Sequence, residues 1–435
     1  MDTETSQSPL GASPEYAAFV GLDWGDQKHA VSLCVAGHSQ IERITLEQTP
    51  EALADWANAL RLRFPNGKVA VCLEQARGAL LSALLKYEHI VAYPLNPKSL
   101  ACFREALYPS RTKNDTIDAD LLLEWVLKHR DRLRPWKPDT EQTRHLALLN
   151  EQRRHFVDHR TRLTNELLSH LKAIFPQAVD LVGENLAADL CTDFLTKWPT
   201  LQHVQKVQPA VLRRFYYGHN SRSEELITQR LALIKKAVPL TTDGALLKSH
   251  ALAIKTLVHL LKTLRAALQE HDEQIEQLFA THPDAYIFKS LPGAGAVFAP
   301  RLLTALGTDR GCFDSAERVS CHSGIAPVTE QSGKLQFWVH TRWSCPTFLR
   351  QTWHEFANSS IKFSAWASAY YLHLRRKMKH HAAVRALAFK WQRIIWRMWQ
   401  DRTPYDETRY IKSLQKRGID IYTVLANEPI TKTGE

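Results

Sequence analysis

The run AAFVGLDWG, residues 17–25, is short and apolar, and it stops at Asp23 and a glycine. A run of that length closed by turn residues predicts a buried strand. After the polar turn DQK the apolar pattern resumes as HAVSLCVAG, and IERITLE alternates like an edge strand. Next, TPEALADWANALRLRF carries Leu53, Trp56, Ala57 and Leu60 on one helical face, with Thr49 placed as its cap. KVAVCLEQ predicts another buried strand ending at Glu74, and HIVAYPLNP a further one closed by Asn96-Pro97.

Hairpin strands followed by β-α-β-α alternation give the order of a ribonuclease-H-like sheet. Carboxylates at the C-terminal edge of such strands share a crevice. RTKNDTIDADLLLEWVLKH then opens a helix in which Asp115 and Asp118, three apart, lie on one face near its start. Leu121, Leu122, Trp125 and Val126 supply the packing face behind them. Four acids, Asp23, Glu74, Asp115 and Asp118, thus come from two strand ends and one helix start. A cluster of this kind repels itself unless a hard cation neutralises it, and oxygen-only ligands suit Mg²⁺ or Mn²⁺. Two ions about 4 Å apart would clamp the attacking and leaving oxygens of a phosphodiester.

The chain has 435 residues, long enough for two or three units, with 44% hydrophobic and 23% charged residues, which argues for real cores and against global disorder. Its formal net charge of +11 favours a polyanionic partner. Seven scattered cysteines, never in a CxxC arrangement, speak for reduced cytosolic thiols and against a zinc site or disulfide framework. The start, MDTETSQSPLGASPEY, reads as a polar tail, and no apolar run is long enough to span a bilayer. A cytoplasmic bacterial protein without membrane contact is expected.

The middle is helical. EQTRHLALLNEQRRHFVDHRTRLTNELLSHLKAIFP has helical spacing up to Pro176. Further on, Ile254, Leu257, Leu261, Leu264, Leu268, Ile275 and Leu278 step by threes and fours, with His271 as a polar seam residue. This stripe fits either a coiled coil for self-association or a helical hairpin within the chain. Residues 177–240 form an insert between the two long helices, without an assigned role.

The C-terminal third opens with SLPGAGAVFAPRLLTAL, where Pro292-Gly293-Ala294-Gly295 precedes a helical pattern as in a helix-hairpin-helix turn. Its glycines would let backbone amides approach phosphate at a helix N-terminus. CHSGIAPVTEQSGKLQFW contains two Ser-Gly pairs, at Ser323 and Ser332. IKFSAWASAYYLHLRRKMKHHAAVRALAFKWQRIIWRMW interleaves basic residues with aromatics, a composition that suits nucleic acid. Helical spacing assigns most of those rings to a core.

FVGLDWG, CLEQARG, LNPKSL and RTKNDTIDADLL together resemble the DEDD-type insertion-sequence transposases, a family that includes bridge-RNA-guided recombinases and pilin-gene invertases. The resemblance implies an α/β plus α architecture: a RuvC-like catalytic domain over 15–140, a helical coiled-coil region over 141–282, and a transposase domain over 283–435, behind a tail at 1–14. It places Asp23, Glu74, Asp115 and Asp118 at the family's four acidic positions. In the family a Gly-(Ile/Leu)-x-Pro element precedes the nucleophilic Ser-Gly pair. Gly324-Ile325-Ala326-Pro327 fills that element, so the matching serine is Ser332 and not Ser323. A serine hydroxyl needs a base or metal to attack at neutral pH; the loop offers Glu330 and His322, and the acid cluster of the same or another protomer offers metal. TRWSCPTFLRQTWHEFA and TPYDETRY extend the resemblance.

The implied activity is RNA-guided DNA transposition: serine attack on DNA, a phosphoserine intermediate, and strand exchange. The implied partners are donor and target double-stranded DNA, a guide (bridge) RNA, and further copies of the chain, a homodimer assembling to a tetramer. Two other readings remain: a metal-dependent structure-specific endonuclease using only the four acids, and a non-catalytic nucleic-acid-binding protein.

Overall fold

The computed structural model of the protein describes residues 16–74, 78–108, 114–332, 336–416 and 418, with backbone alone at 332 and 336–339. The tail expected over residues 1–14 lies outside the described residues. The chain divides into two compact units, Met1–Pro138 and Asp139–Glu435.

The first unit is built on five strands, β1 (Ala18–Asp23), β2 (Lys28–Val35), β3 (Ile41–Glu47), β4 (Val69–Leu73) and β5 (Ile90–Pro94), in the spatial order β3-β2-β1-β4-β5. The first three run antiparallel as a meander, whereas β4 and β5 lie parallel to β1. This mixed sheet is consistent with a ribonuclease-H-like domain. Between the strands lie α1 (Pro50–Arg63) and α2 (Ala79–Leu84), and α3 (Pro97–Leu107) and α4 (Asp115–Lys128) follow β5. The expected cap is present, since the Thr49 side chain accepts from the Ala52 amide at 3.2 Å. Trp56, Ala57 and Leu60 are buried behind it.

Strand residues alternate between two cores because successive side chains leave opposite faces of a pleated sheet. Val20, Leu22, Val69, Val71 and Leu73 pack with Trp56, Leu60, Leu80, Leu81 and Leu84. Ala70, Cys72 and Tyr93 pack on the other face with Leu100, Leu121, Leu122 and Val126. The sheet is therefore sandwiched between helical layers. One position sets how closely α4 approaches. A Cβ at Gly21 would collide with the Ala119 carbonyl oxygen and the Leu123 amide, so only glycine lets the helix backbone rest on β1. Asp120 fixes the rotation of that helix: it accepts from the Ser32 hydroxyl at 2.6 Å and from both Nε and Nη2 of Arg43.

The second unit is helical apart from a hairpin. Two long helices, α5 (Glu141–Ile174) and α11 (Gly244–Ala280), pack against each other. The intervening residues form α6 (Ala178–Val182), α7 (Asp189–Lys197), α8 (Leu201–Gln205), α9 (Pro209–Gly218) and α10 (Glu224–Lys236). Here the insert receives a structural role. Its Leu181, Phe194, Val204, Phe215, Tyr216 and Ile227 close a core with Leu167, Leu171 and Ile174 of α5 and Ile254, Leu257, Val258 and Leu261 of α11.

Of the two readings of this stripe, the packing follows the helical hairpin within the chain rather than a self-associating coiled coil. Ile254, Leu257 and Leu261 are covered by the insert core, and Ile275 by the C-terminal core. A stripe already dehydrated by its own chain has little apolar area left to drive association. His271 is the seam residue expected, its Nδ1 2.8 Å from the Ala267 carbonyl and its ring edge-on to Phe156.

After α11 come α12 (Ala285–Lys289), α13 (Gly295–Leu306), α14 (Ala316–His322), the hairpin strands β6 (Val328–Ser332) and β7 (Gln336–His340), then α15 (Thr347–Ser360), α16 (Ala365–Arg375), α17 (His380–Asp401) and α18 (Glu407–Lys416). Trp353, Trp366, Trp391 and Trp399 are fully buried in one core with Phe288, Phe356 and Ile395. Most rings in the basic-aromatic stretch are core, as their helical spacing predicts. Residues expected as a helical middle and a separate C-terminal domain share this core, because Leu146, Leu149, Ile275 and Phe279 belong to it.

Candidate functional site

The register of two strands brings two of the four acids together. β1 and β4 pair in parallel with Leu22 opposite Leu73, so Asp23 and Glu74 occupy the next places at the carboxyl ends of adjacent strands. Both are half-buried. By the pleat, Asp23 leaves the sheet on the same face as Gly21, the face on which α4 rests.

The other two acids occupy the first turn of α4, capped by the Asn114 side chain, which accepts from the Thr116 amide at 3.0 Å. Their surroundings differ. Asp115 is exposed, whereas Asp118 is 1% exposed and sits beside Ala119, the residue whose carbonyl meets β1. Both oxygens of Asp118 are taken by Arg104 of α3: Nε at 2.5 Å and Nη2 at 2.6 Å. This bidentate fork is the strong geometry for a guanidinium and a carboxylate. Sequence reasoning missed Arg104, since nothing in the spacing of two separate helices marks their mutual contact.

An all-carboxylate donor set has the chemistry for a hard divalent cation. Yet among the described residues no group of three or more His, Cys, Asp or Glu side chains is gathered to hold a metal. With Asp118 committed to Arg104, the four acids as placed do not form such a centre.

In the second unit the two Ser-Gly serines separate clearly. Ser323, at the end of α14, is 1% exposed. Gln392 of α17 donates to its Oγ at 2.6 Å and accepts from Ser320 at 2.7 Å, so this serine belongs to a buried polar network. Ser332 is the last residue of β6, opposite Gln336. Its side chain lies outside the described residues. Of the two candidate bases, Glu330 pairs with His340 at 3.6 Å with both groups exposed, and the His322 ring lies 5.7 Å from Phe313.

A cationic cluster stands near the base of this hairpin. Arg350 Nη1 donates to the Arg342 carbonyl at 3.1 Å, Arg342 Nη2 lies 3.8 Å from the Cys321 sulfur, and Arg385 Nη1 donates to Thr341 at 2.8 Å. Arg350 lies in the stretch TRWSCPTFLRQTWHEFA that extends the resemblance. His354, 3.4 Å from Arg385 Nε, has its pKa pushed down to about 4, first by burial and then by Arg385, Arg350 and His381. It is a neutral ring among guanidinium groups.

Comparison with known proteins adds an independent line. The profile of the DEDD transposases of IS110 matches residues 20–176, and that of the transposase IS116/IS110/IS902 family matches residues 285–372. The chain is 25% identical over 401 residues to the IS117 mini-circle protein of Streptomyces coelicolor, whose name proposes a transposase; 90% of this chain and 96% of that one are covered. It is 24% identical to the 44.8 kDa protein of insertion element IS116 from Streptomyces clavuligerus, over 88% of this chain and 95% of the relative. Identity to the 42 kDa protein of IS900 from Mycobacterium paratuberculosis is 25%, over 91% and 98% respectively. No helix among the described residues is long and apolar enough to cross a membrane.

Proposed function

The chain belongs to the IS116/IS110/IS902 family of transposases, and from that premise we propose that it is a serine recombinase of an insertion sequence, guided by RNA. The Ser332 Oγ gives up its proton to a base and forms a bond to a DNA phosphorus. The bond from that phosphorus to the deoxyribose oxygen breaks and leaves a sugar hydroxyl, with DNA held as a phosphoserine. Attack by another strand's hydroxyl reverses the step and completes exchange without an outside energy source. Donor and target DNA, a guide RNA, and a homodimer assembling to a tetramer are the partners of this reading.

The observation that carries it is the pairing of Leu22 with Leu73, which sets Asp23 and Glu74 side by side at adjacent strand ends in a unit whose sequence matches the DEDD transposases. A divalent cation, Mg²⁺ or Mn²⁺, held by Asp23, Glu74, Asp115 and Asp118, would supply charge neutralisation at the phosphate, and Asp118 would have to leave Arg104 to take part. The burial of Ser323 in the Gln392 network supports Ser332 as nucleophile, since an enclosed hydroxyl is out of reach of a DNA phosphate.

The test is mass spectrometry of the peptide left on cleaved DNA. Ser332→Ala is expected to abolish both the adduct and recombinant product while keeping nucleic-acid binding. Ser323→Ala is expected to keep the adduct and cost about 1–2 kcal/mol of stability, because Gln392 loses a buried partner. An adduct on Ser323 would overturn the assignment, and cleavage without any adduct would favour a water-using endonuclease.

A further inference from the structure

We propose that the start of α13 and three arginines behind it form a pocket for one backbone phosphate of double-stranded DNA. The inference deepens the reading of the chain as a DNA transposase and rests on it. A small cavity of about 90 Å³ is lined by Arg153 and Arg154 of α5, Asp272 and Ile275 of α11, Ala296, Val297 and Arg301 of α13, and Glu355 of α15. That is room for a tetrahedral oxyanion but not for a base or a sugar.

Each arginine meets a carboxylate, yet not every donor is used. Arg153 holds Asp272 through both Nε and Nη2. Arg154 reaches Glu355 at 3.0 Å and Asp158 at 2.7 Å. Arg301 is 5% exposed; its Nε donates to Thr352 at 3.0 Å and its Nη1 to Glu355 at 2.8 Å. Three guanidinium groups are thus met by three carboxylates, of which Asp272 and Glu355 line the cavity. Two buried donors, Nη2 of Arg301 and Nε of Arg154, find no hydrogen-bond partner among the described residues. Burial is the largest influence on Arg301 and lowers its pKa; the hydrogen bond and charge of Glu355 oppose this, and Arg154 and Arg153 lower it further. Unmet buried donors on a cation are costly, and an oxyanion is the ligand that would satisfy them.

The third component is backbone. α13 starts after Gly293, at φ +76°, and with Gly295, at φ +51°, and it has no side-chain cap. Residues 295–297 are exposed, and Ala296 and Val297 line the cavity. The unbonded amides of a helix's first turn, with the positive end of its dipole, favour an anion. Ala296 and Val297, which follow the Pro292-Gly293-Ala294-Gly295 turn singled out in the sequence, thus line a cavity that the buried Arg301 also lines.

The test is Val297→Glu. It puts a carboxylate into the cavity at a partly exposed first-turn position, where an acid suits the helix dipole and does not endanger the fold. Binding of the full chain to a fluorescent duplex DNA is measured by anisotropy across a salt series. With Val297→Glu the affinity is expected to fall about tenfold and the slope of log K against log salt to shrink by about 0.9, the signature of one lost phosphate contact. Val297→Gln, of similar size and uncharged, should bind as wild type. In a second arm, inorganic phosphate at constant ionic strength should raise the melting midpoint of wild type and not of Val297→Glu. Duplex binding by Val297→Glu with wild-type affinity and slope overturns the pocket, even if free phosphate still stabilises the protein. Absence of any duplex binding by the wild-type chain would overturn the transposase reading itself, and the pocket with it.

Discussion

The two units differ in how they handle charge. Residues 1–138 carry 16 Lys and Arg against 17 Asp and Glu, whereas residues 139–435 carry 40 against 28, so the net +11 of the chain comes entirely from the second unit. In the first unit the principal carboxylates of α4 each meet one arginine: Asp118 with Arg104, and Asp120 with Arg43. In the second, cationic groups are set close to one another, with no acid between them among the described residues, around His354, where Arg385, Arg350 and His381 gather. A balanced unit that presents acids and an unbalanced one that presents cations suit a division between chemistry on a phosphodiester and grip on its backbone.

The largest effect that would break this comparison lies in the helical pair. If α11 is covered by its own chain, Leu261→Asp buries a charge in the insert core and should cost about 4–5 kcal/mol, read by chemical denaturation. A variant that keeps its stability and merely dissociates would return the stripe to self-association.

Next is the balance within the first unit. Asp118→Asn leaves the Arg104 guanidinium beside a neutral amide and should destabilise by about 3 kcal/mol. Asp115→Asn, at an exposed position, should stay within about 0.5 kcal/mol. Equal effects would mean that the two acids are not distinguished by Arg104. Strand cleavage should be lost in both if both serve the proposed site, which separates catalysis from stability at Asp115.

The smallest expected effect probes the crowding of cations. His354 has a folded-state pKa of about 4 against an ordinary value of 6.5, so the unfolded chain binds the extra proton first. Its contribution to stability is complete above about pH 6.5 and is lost as pH falls toward 4. The wild-type protein should lose about 1 kcal/mol more than His354→Gln between pH 7 and pH 4.5, allowing for solvent screening of a group that is not fully buried. Parallel pH profiles for the two proteins would remove the guanidinium crowding from the account.

The sequence by itself determined the elements and their order. The apolar run ending at Asp23, the run expected to end at Glu74 and the helix opened by RTKNDTIDADLL are local patterns: β1 ends at Asp23, β4 at Leu73, one residue short, and the helix starts at Asp115. Periodicity in residues 254–278 and 366–399 likewise fixed which faces are apolar. Tertiary structure alone decided what meets those faces and charges. Arg104 lies 14 residues from Asp118 on another helix, Gln392 lies 69 from Ser323, and the insert that covers Leu261 gives no sign of its target. The physical reason is that a helical or pleated repeat encodes the direction of a side chain relative to its own backbone. The partner it meets depends on how distant elements pack, and a buried charge or hydroxyl takes whichever complement that packing brings within reach.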